Sequence, residues 1–348
     1  MRSKTGWTVT AWTVLIVFLV AVLGALSLLF PLRPEITPGG SRLDIEERDV
    51  LTEVPSSYSP EFARFAVRFK DIVNPYRVLA AFVLPGETMD IEVLSPSDVS
   101  SYTIEADSSA AIPAGPRRWI WHAPAVPGTY ALHIDEVTTG SSVTINVFVK
   151  TPYAVTANAL NGYAIGRYET TPLNGDSLYL PPRGFVEVTP ENQDILVSPH
   201  FTLGDFLCKQ ASDYPKYVLV REPLLLKLEW LLREVNEREI EARTLHVMSA
   251  FRTPFYNRLI GNTTSYSRHL YGGAADVFVD SNDDGYMDDL NGDGTVDRGD
   301  AAFMAQMIEE MGDGDTYEPL FGGLGIYAPA PHRGPFIHVD VRGRPVRW

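Results

Sequence analysis

Cysteine is nearly missing from this chain: Cys208 is the single one in 348 residues. That excludes an intrachain disulfide framework and any cysteine-rich zinc site. Within FLCKQ the thiol reads as a small buried residue rather than a nucleophile. Basic residues are short as well, with 29 Lys and Arg against 44 Asp and Glu and a net charge of −15. Phosphate recognition needs clustered cations, so nucleic acid is not an expected partner. What is present suits a globular protein of about two domains plus accessories, with 45% hydrophobic and 11% aromatic residues.

The first stretch also lacks charge. After Arg2 and Lys4 none appears until Arg33. The apolar run between them is long enough for a spanning helix, which needs roughly 20 residues. A cleaved signal peptide is the alternative, but its apolar region would be about 7–15 residues and end at small residues. The expectation is a cytoplasmic tip and transmembrane anchor over 1–32, with everything after it on the far side of the membrane.

Residues 33–74 are polar and proline-punctuated and read as a linker or stalk, with a short helix at Pro60–Ile72. From 75 to 151 short β-rich runs alternate with turn residues, as at Pro85–Gly86 and Pro127–Gly128. This pattern predicts a small β-sandwich, and APAVPGTYALHI resembles late strands of bacterial immunoglobulin-like modules. His122 and His133 fall here as strand residues without chemistry. A connection over 152–197 leads to the last domain, 198–348. There REPLLLKLEWLLREVNERE places Leu224, Leu225, Leu228, Leu231, Leu232 and Val235 at helical spacing, with Pro223 in the first turn. TLHVMSAFR then predicts a strand.

Three pieces of this domain carry chemistry. His269 and Asp276 flank Gly272, Gly273, Ala274 and Ala275, small residues that let a loop run closely into a strand. His338, in the strand-like FIHVDV, offers a third donor. Two imidazoles and one carboxylate leave a fourth zinc position open, as in catalytic rather than structural sites. Arg252 is a fixed cation suited to a substrate carboxylate. His200 and His246 read as structural.

The ordered set resembles the zinc D-alanyl-D-alanine carboxypeptidases and related murein endopeptidases of the LAS type, which share their fold with the hedgehog signalling domain. The pattern S-x-x-R-x-P-x-x-N matches Ser249, Arg252, Pro254 and Asn257. S-x-H-x-x-G-x-A-x-D matches Ser267, His269, Gly272, Ala274 and Asp276. The late pattern matches Gly322, Gly323, Gly325, Tyr327, Phe336, His338, Asp340 and Arg342. The resemblance implies zinc on His269, Asp276 and His338, with Arg252 and Ser267 at the substrate and Arg252 gripping the stem-peptide carboxylate. The chain departs from the family at the general base. Pro335 stands where many members have an acid, and Phe336 where others have a histidine. Asp340 shares a strand face with His338 and is the favoured base or a partner of the ligand, with His332 the other candidate.

Between the second and third ligands lies DSNDDGYMDDLNGDGTVDRGDA, with eight aspartates and one arginine. Asp289, Asn291, Asp293, Thr295, Asp297 and Asp300 occupy positions 1, 3, 5, 7, 9 and 12 of a calcium loop, with Gly294 at the sharp turn. The loop resembles dockerin-type repeats. Asp280, Asn282, Asp284 and Asp288 begin a second register, whose last position would fall on Asn291, already used. One full calcium site and a partial second one are expected within 280–300.

Together these expectations describe a multidomain protein: a single-pass anchor, an immunoglobulin-like β-sandwich and an α+β zinc peptidase domain facing the periplasm or cell exterior. Its substrate would be peptidoglycan stem peptides, cut at a terminal D-Ala or a cross-bridge. The alternative is a wall-binding or scaffolding protein that holds zinc and calcium without cutting.

Overall fold

The computed structural model describes residues 60–97, 99–312 and 320–348, all within one compact unit spanning residues 45–348. The expected anchor, and the linker as far as residue 59, lie outside the described residues. Among the described residues no helix is long and apolar enough to cross a membrane.

Nine strands come first: β1 (Phe62–Phe69), β2 (Ile72–Tyr76), β3 (Val78–Val83), β4 (Thr88–Leu94), β5 (Tyr102–Ala106), β6 (Ile112–Gly115), β7 (Arg118–His122), β8 (Gly128–Glu136) and β9 (Ser142–Val149). They form a five-stranded sheet, β2-β1-β4-β7-β6, and a four-stranded sheet, β3-β9-β8-β5. Phe65, Ile91 and Trp121 of the first sheet share one core with Leu132, Ile134 and Ile145 of the second. The short helix expected at Pro60–Ile72 is instead β1, which pairs antiparallel with β2 and β4. Phe62, Phe65, Ala66 and Phe69 stand at helical spacing. Both faces of this strand are covered, however, so burial does not alternate. The sheet unit therefore begins well before residue 75.

The segment read as a connection is also part of a core. It holds β10 (Thr151–Pro152), β11 (Ala159–Leu160), β12 (Tyr163–Ala164), β13 (Gly184–Val188) and β14 (Leu196–Ser198). After it come β15 (Phe201–Thr202) and β16 (Lys216–Val218), and β13 pairs with both β10 and β16. Tyr153, Tyr163, Ile165, Tyr168 and Phe185 are buried with the residues of the last domain. Prolines and turns scatter these aromatics, so no period marks them as core.

Helix α1 (Glu222–Glu237) joins the two halves. Leu224, Leu225, Leu228, Leu231, Leu232 and Val235 enter the C-terminal core, while Leu226 and Trp230 enter the core of the β-sheet unit. A helix apolar on opposite sides is a buried helix, and each fully buried leucine contributes roughly 1.5–3 kcal/mol. At its start Glu222 accepts hydrogen bonds from Lys70 Nζ at 2.5 Å and from the Phe82 amide at 3.1 Å, tying it to the sheets.

The last sheet has the order β17-β18-β20-β19-β21, formed by β17 (His246–Ser249), β18 (Ala274–Phe278), β19 (Gly323–Tyr327), β20 (Phe336–Asp340) and β21 (Val346–Arg347). Ala275, Val277, Leu324, Ile337 and Val339 turn one face of it into the core. There α3 (Arg298–Gly312) packs on β19 and β20 and on α1. The register aligns Asp276 with His338 and His338 with Gly325, so alternation puts these three in one row on the other face. Between β17 and β18 lies the short helix α2 (Pro254–Leu259), whose N-cap Thr253 accepts from the Tyr256 amide at 3.0 Å.

Candidate metal centre

His269 reaches the row from a single 3₁₀ turn, Arg268–Tyr271, that ends at Gly272. Gly272 has φ of 66°, and a Cβ there would lie 2.5 Å from the Leu219 carbonyl oxygen, so only glycine closes this turn. The His269 Nδ1–H donates to the Ala250 carbonyl at 2.6 Å. A carbonyl can only accept, so Nε2 is left as a bare lone pair pointing at the row.

His338 is fixed the opposite way round. Its Nε2 lies 3.3 Å from Asp340 Oδ2 and donates to it, so in the neutral ring Nδ1 carries the lone pair. The two bare nitrogens, His269 Nε2 and His338 Nδ1, are 3.1 Å apart. Asp276 Oδ1 lies 2.8 Å from His338 Nδ1 and 3.3 Å from His269 Nε2. The three ligand atoms thus converge, and all three residues are buried. With both imidazoles neutral, these atoms are lone pairs facing one another, an arrangement that a cation stabilises. Tetrahedral zinc with bonds of about 2.0–2.2 Å holds its ligand atoms roughly 3.3 Å apart. The donor set and its spacing fit that ion.

The charges reflect the same arrangement. Burial would raise the Asp276 carboxyl, but His269 and His338 outweigh it and hold it well below the usual range. Burial pushes His269 down, with Asp276 opposing. Burial also opposes charge on His338, yet Asp276 and Asp340 prevail and hold its pKa above the ordinary imidazole value.

The motif residues around the centre have separate tasks. Arg252 donates through Nε to Ser249 Oγ at 2.8 Å, and its guanidinium also bonds Asp276 Oδ2. Asn257 ties its loop through Nδ2 to the Asn262 carbonyl at 2.9 Å. Ser267 is half-buried and opens the 3₁₀ turn without capping it. His332 lies exposed in the turn between β19 and β20.

Asp340, expected as the favoured base, sits behind His338. It is fully buried, and Oδ1 accepts from the Gly323 amide at 2.8 Å and from Arg342 Nε at 2.9 Å. Its Oδ2 is taken by His338 and the Arg342 guanidinium. Lying on the far nitrogen of the imidazole, it orients the ring and does not face the converging atoms. Beneath the strand, Lys227 Nζ donates to the carbonyls of Asp340 and Leu320 at 3.1 and 3.0 Å. Burial pushes this ammonium down to about 8.

Two features escape sequence reasoning. One is Lys227, which reads as a polar break in an apolar helix. The other is Trp348, whose ring centroid lies 5.1 Å from that of His338. Gly323 and Gly325, alternate residues of β19, leave a bare stripe beside His338 that a large side chain must fill; that stripe is the signal.

The acidic insert folds as two similar lobes. Asp280 accepts from the amides of Asp284 and Gly285, and Asp289 from those of Gly292 and Gly294. Asn282 and Asn291 each accept from the amide two residues on, as do Asp284 and Asp293. Asp288 accepts from the Ser281 amide and hydroxyl. Asp300 is fully buried and accepts from the amides of Leu290, Asn291 and Asp297.

Residues 199–291 match the Peptidase M15 family model. This is a zinc-dependent peptidase family, and the matched segment holds His269 and Asp276 but ends before His338. That segment of the C-terminal region is therefore similar to the M15 peptidases at the family level. No curated protein matches the chain. Among solved structures, the crystal structure of the titin M3 domain is similar at 18% identity and a TM-score of 0.17, over 25% of this chain and 99% of that one.

Proposed function

We propose that the C-terminal domain is a zinc peptidase that hydrolyses peptidoglycan stem peptides, with His269, Asp276 and His338 holding the ion. The convergence of three buried donor atoms carries this reading. A bound zinc would supply Lewis-acid polarisation of a carbonyl and acidify a water. The chain's own residues do the rest. Ala250 and Asp340 fix the two imidazole tautomers. Arg252 steadies Asp276 with one side of its guanidinium and presents the remainder to a substrate carboxylate, with Ser267 alongside. Asp340 is a positioning residue in this scheme.

The insert would bind calcium through Asp289, Asn291, Asp293, the Thr295 carbonyl, Asp297 and Asp300, with a partial second site from Asp280, Asn282, Asp284 and Asp288. An N-terminal anchor would hold the protein in the cell membrane with the peptidase domain in the periplasm or outside, and the two-sheet unit would act as an immunoglobulin-like spacer.

One observation favours a second reading, a wall-binding protein that does not cut. Asp340 is committed to His338 and Arg342, and among the described residues no fourth histidine or acid joins the metal group. Incubating the purified protein with muropeptides, with and without a zinc chelator, separates the two. Chelator-sensitive release of D-Ala or of cross-linked peptides is expected. Binding without any release would overturn the peptidase reading.

A further inference from the structure

We propose that Trp348 is a substrate-contacting wall of the metal centre, its partly exposed indole taking the apolar flank of the stem-peptide residue beside the scissile bond. This rests on the peptidase reading above for the identity of the substrate.

The row Asp276–His338–Gly325 has no side chain at its third place. Trp348 fills it from the neighbouring strand. A Cβ on Gly325 would lie 2.5 Å from Trp348 Nε1, and one on Gly323 would lie 2.9 Å from the six-membered ring. The indole therefore rests directly on the β19 backbone, and any other residue at either glycine would displace it. It is also pinned. Nε1 donates to the Tyr327 hydroxyl at 2.7 Å, the Trp348 amide to the Leu324 carbonyl at 3.2 Å, and the Ile326 amide to the Trp348 carbonyl at 3.2 Å. The Arg342 guanidinium lies 5.5 Å from the ring centroid, which links the indole to the group that grips Asp340.

Despite these restraints the residue remains 46% exposed. A single exposed aromatic is ordinary on a protein surface. A tryptophan fixed by three hydrogen bonds, seated on two glycines and touching a proposed ligand is not, because it keeps that order while nearly half of it meets solvent. A rigid aromatic face loses little entropy when a ligand packs on it, and it provides area without further ordering.

The bland alternative is that the indole only props His338, and kinetics separates the two. With disaccharide-pentapeptide as substrate, Trp348→Ala is expected to raise KM about tenfold with kcat within about threefold and zinc content unchanged. Trp348→Phe, which keeps a ring but loses the Tyr327 bond, should recover most of that loss. A fall in kcat together with zinc content at constant KM would assign the residue to His338 and overturn the proposal, as would an unchanged KM. If the wild-type protein does not turn the substrate over, the peptidase reading fails by itself. The same variants are then compared by calorimetric Kd: about tenfold weaker binding for Trp348→Ala upholds the wall, and equal binding removes it.

Discussion

Asp276 and the aspartates of the insert stand a few residues apart in the chain and use their carboxylates in opposite ways. In the insert seven of the eight aspartates accept a backbone amide of the insert itself, and Asp300 takes three. The acid is dense there, yet these seven find partners within the loop, and Asp283 pairs with Arg243. In the metal centre one oxygen of one aspartate faces two imidazole nitrogens brought in from separate segments. The eight-aspartate run holds its shape largely through its own backbone, whereas Asp276 is held by Arg252, His269 and His338 from three other segments. Convergence of buried donors from separate segments, rather than the count of acids, marks the stronger site.

The largest effect should come from removing the one carboxylate that cannot be replaced locally. Asp276→Ala is expected to lose bound zinc and at least about 100-fold of hydrolysis; metal analysis beside a muropeptide assay checks both. Wild-type turnover with full zinc would break the assignment. Asp340→Asn keeps the size but weakens acceptance from His338 Nε2. It should cost about 10–100-fold in zinc affinity or activity while the fold survives. If activity disappears with zinc affinity intact, Asp340 acts in the reaction itself and not through His338.

On the other side of the comparison, millimolar calcium should raise the melting temperature of the wild type. Asp300→Ala should abolish that response and itself destabilise the protein by about 1–3 kcal/mol, since three backbone amides lose a buried acceptor. A wild-type melting curve indifferent to calcium would leave the insert a self-satisfied loop without an ion. The smallest effect concerns a histidine outside both regions. His200 Nδ1 lies 2.7 Å from Glu229, which raises the ring's pKa against partial burial. A raised folded-state pKa adds stability that is complete below the unfolded value near 6.5 and fades as pH rises through the folded one. Melting temperature should therefore drop slightly across that window, and His200→Gln should flatten the slope.

How legible these regions were follows from the range of their contacts. The insert's repeat is written in spacing alone, and its two lobes show it residue by residue. The metal group was legible because Ser267–Asp276 and Phe336–Arg342 are compact segments whose spacing survives in the text. Period-two alternation put Asp340 on the face of His338, but it could not say which nitrogen the carboxylate meets, and that decides between base and orienter. Strand β1 stayed hidden because cover on both faces removes alternation. Trp348 stayed hidden because only the parallel pairing of β21 with β19 brings it to His338.

The Asp288 amide donates to the Val279 carbonyl at 3.0 Å, so the first acidic lobe leaves and rejoins the chain at nearly the same point. Seen from β18, the nine residues 280–288 form a closed detour with no net displacement. The strand that carries Asp276 ends just before it and does not register how long the excursion is. The acidic lobe and the metal corner are thereby uncoupled in length: the one can grow or shrink by whole turns while the other keeps its tenths of an ångström.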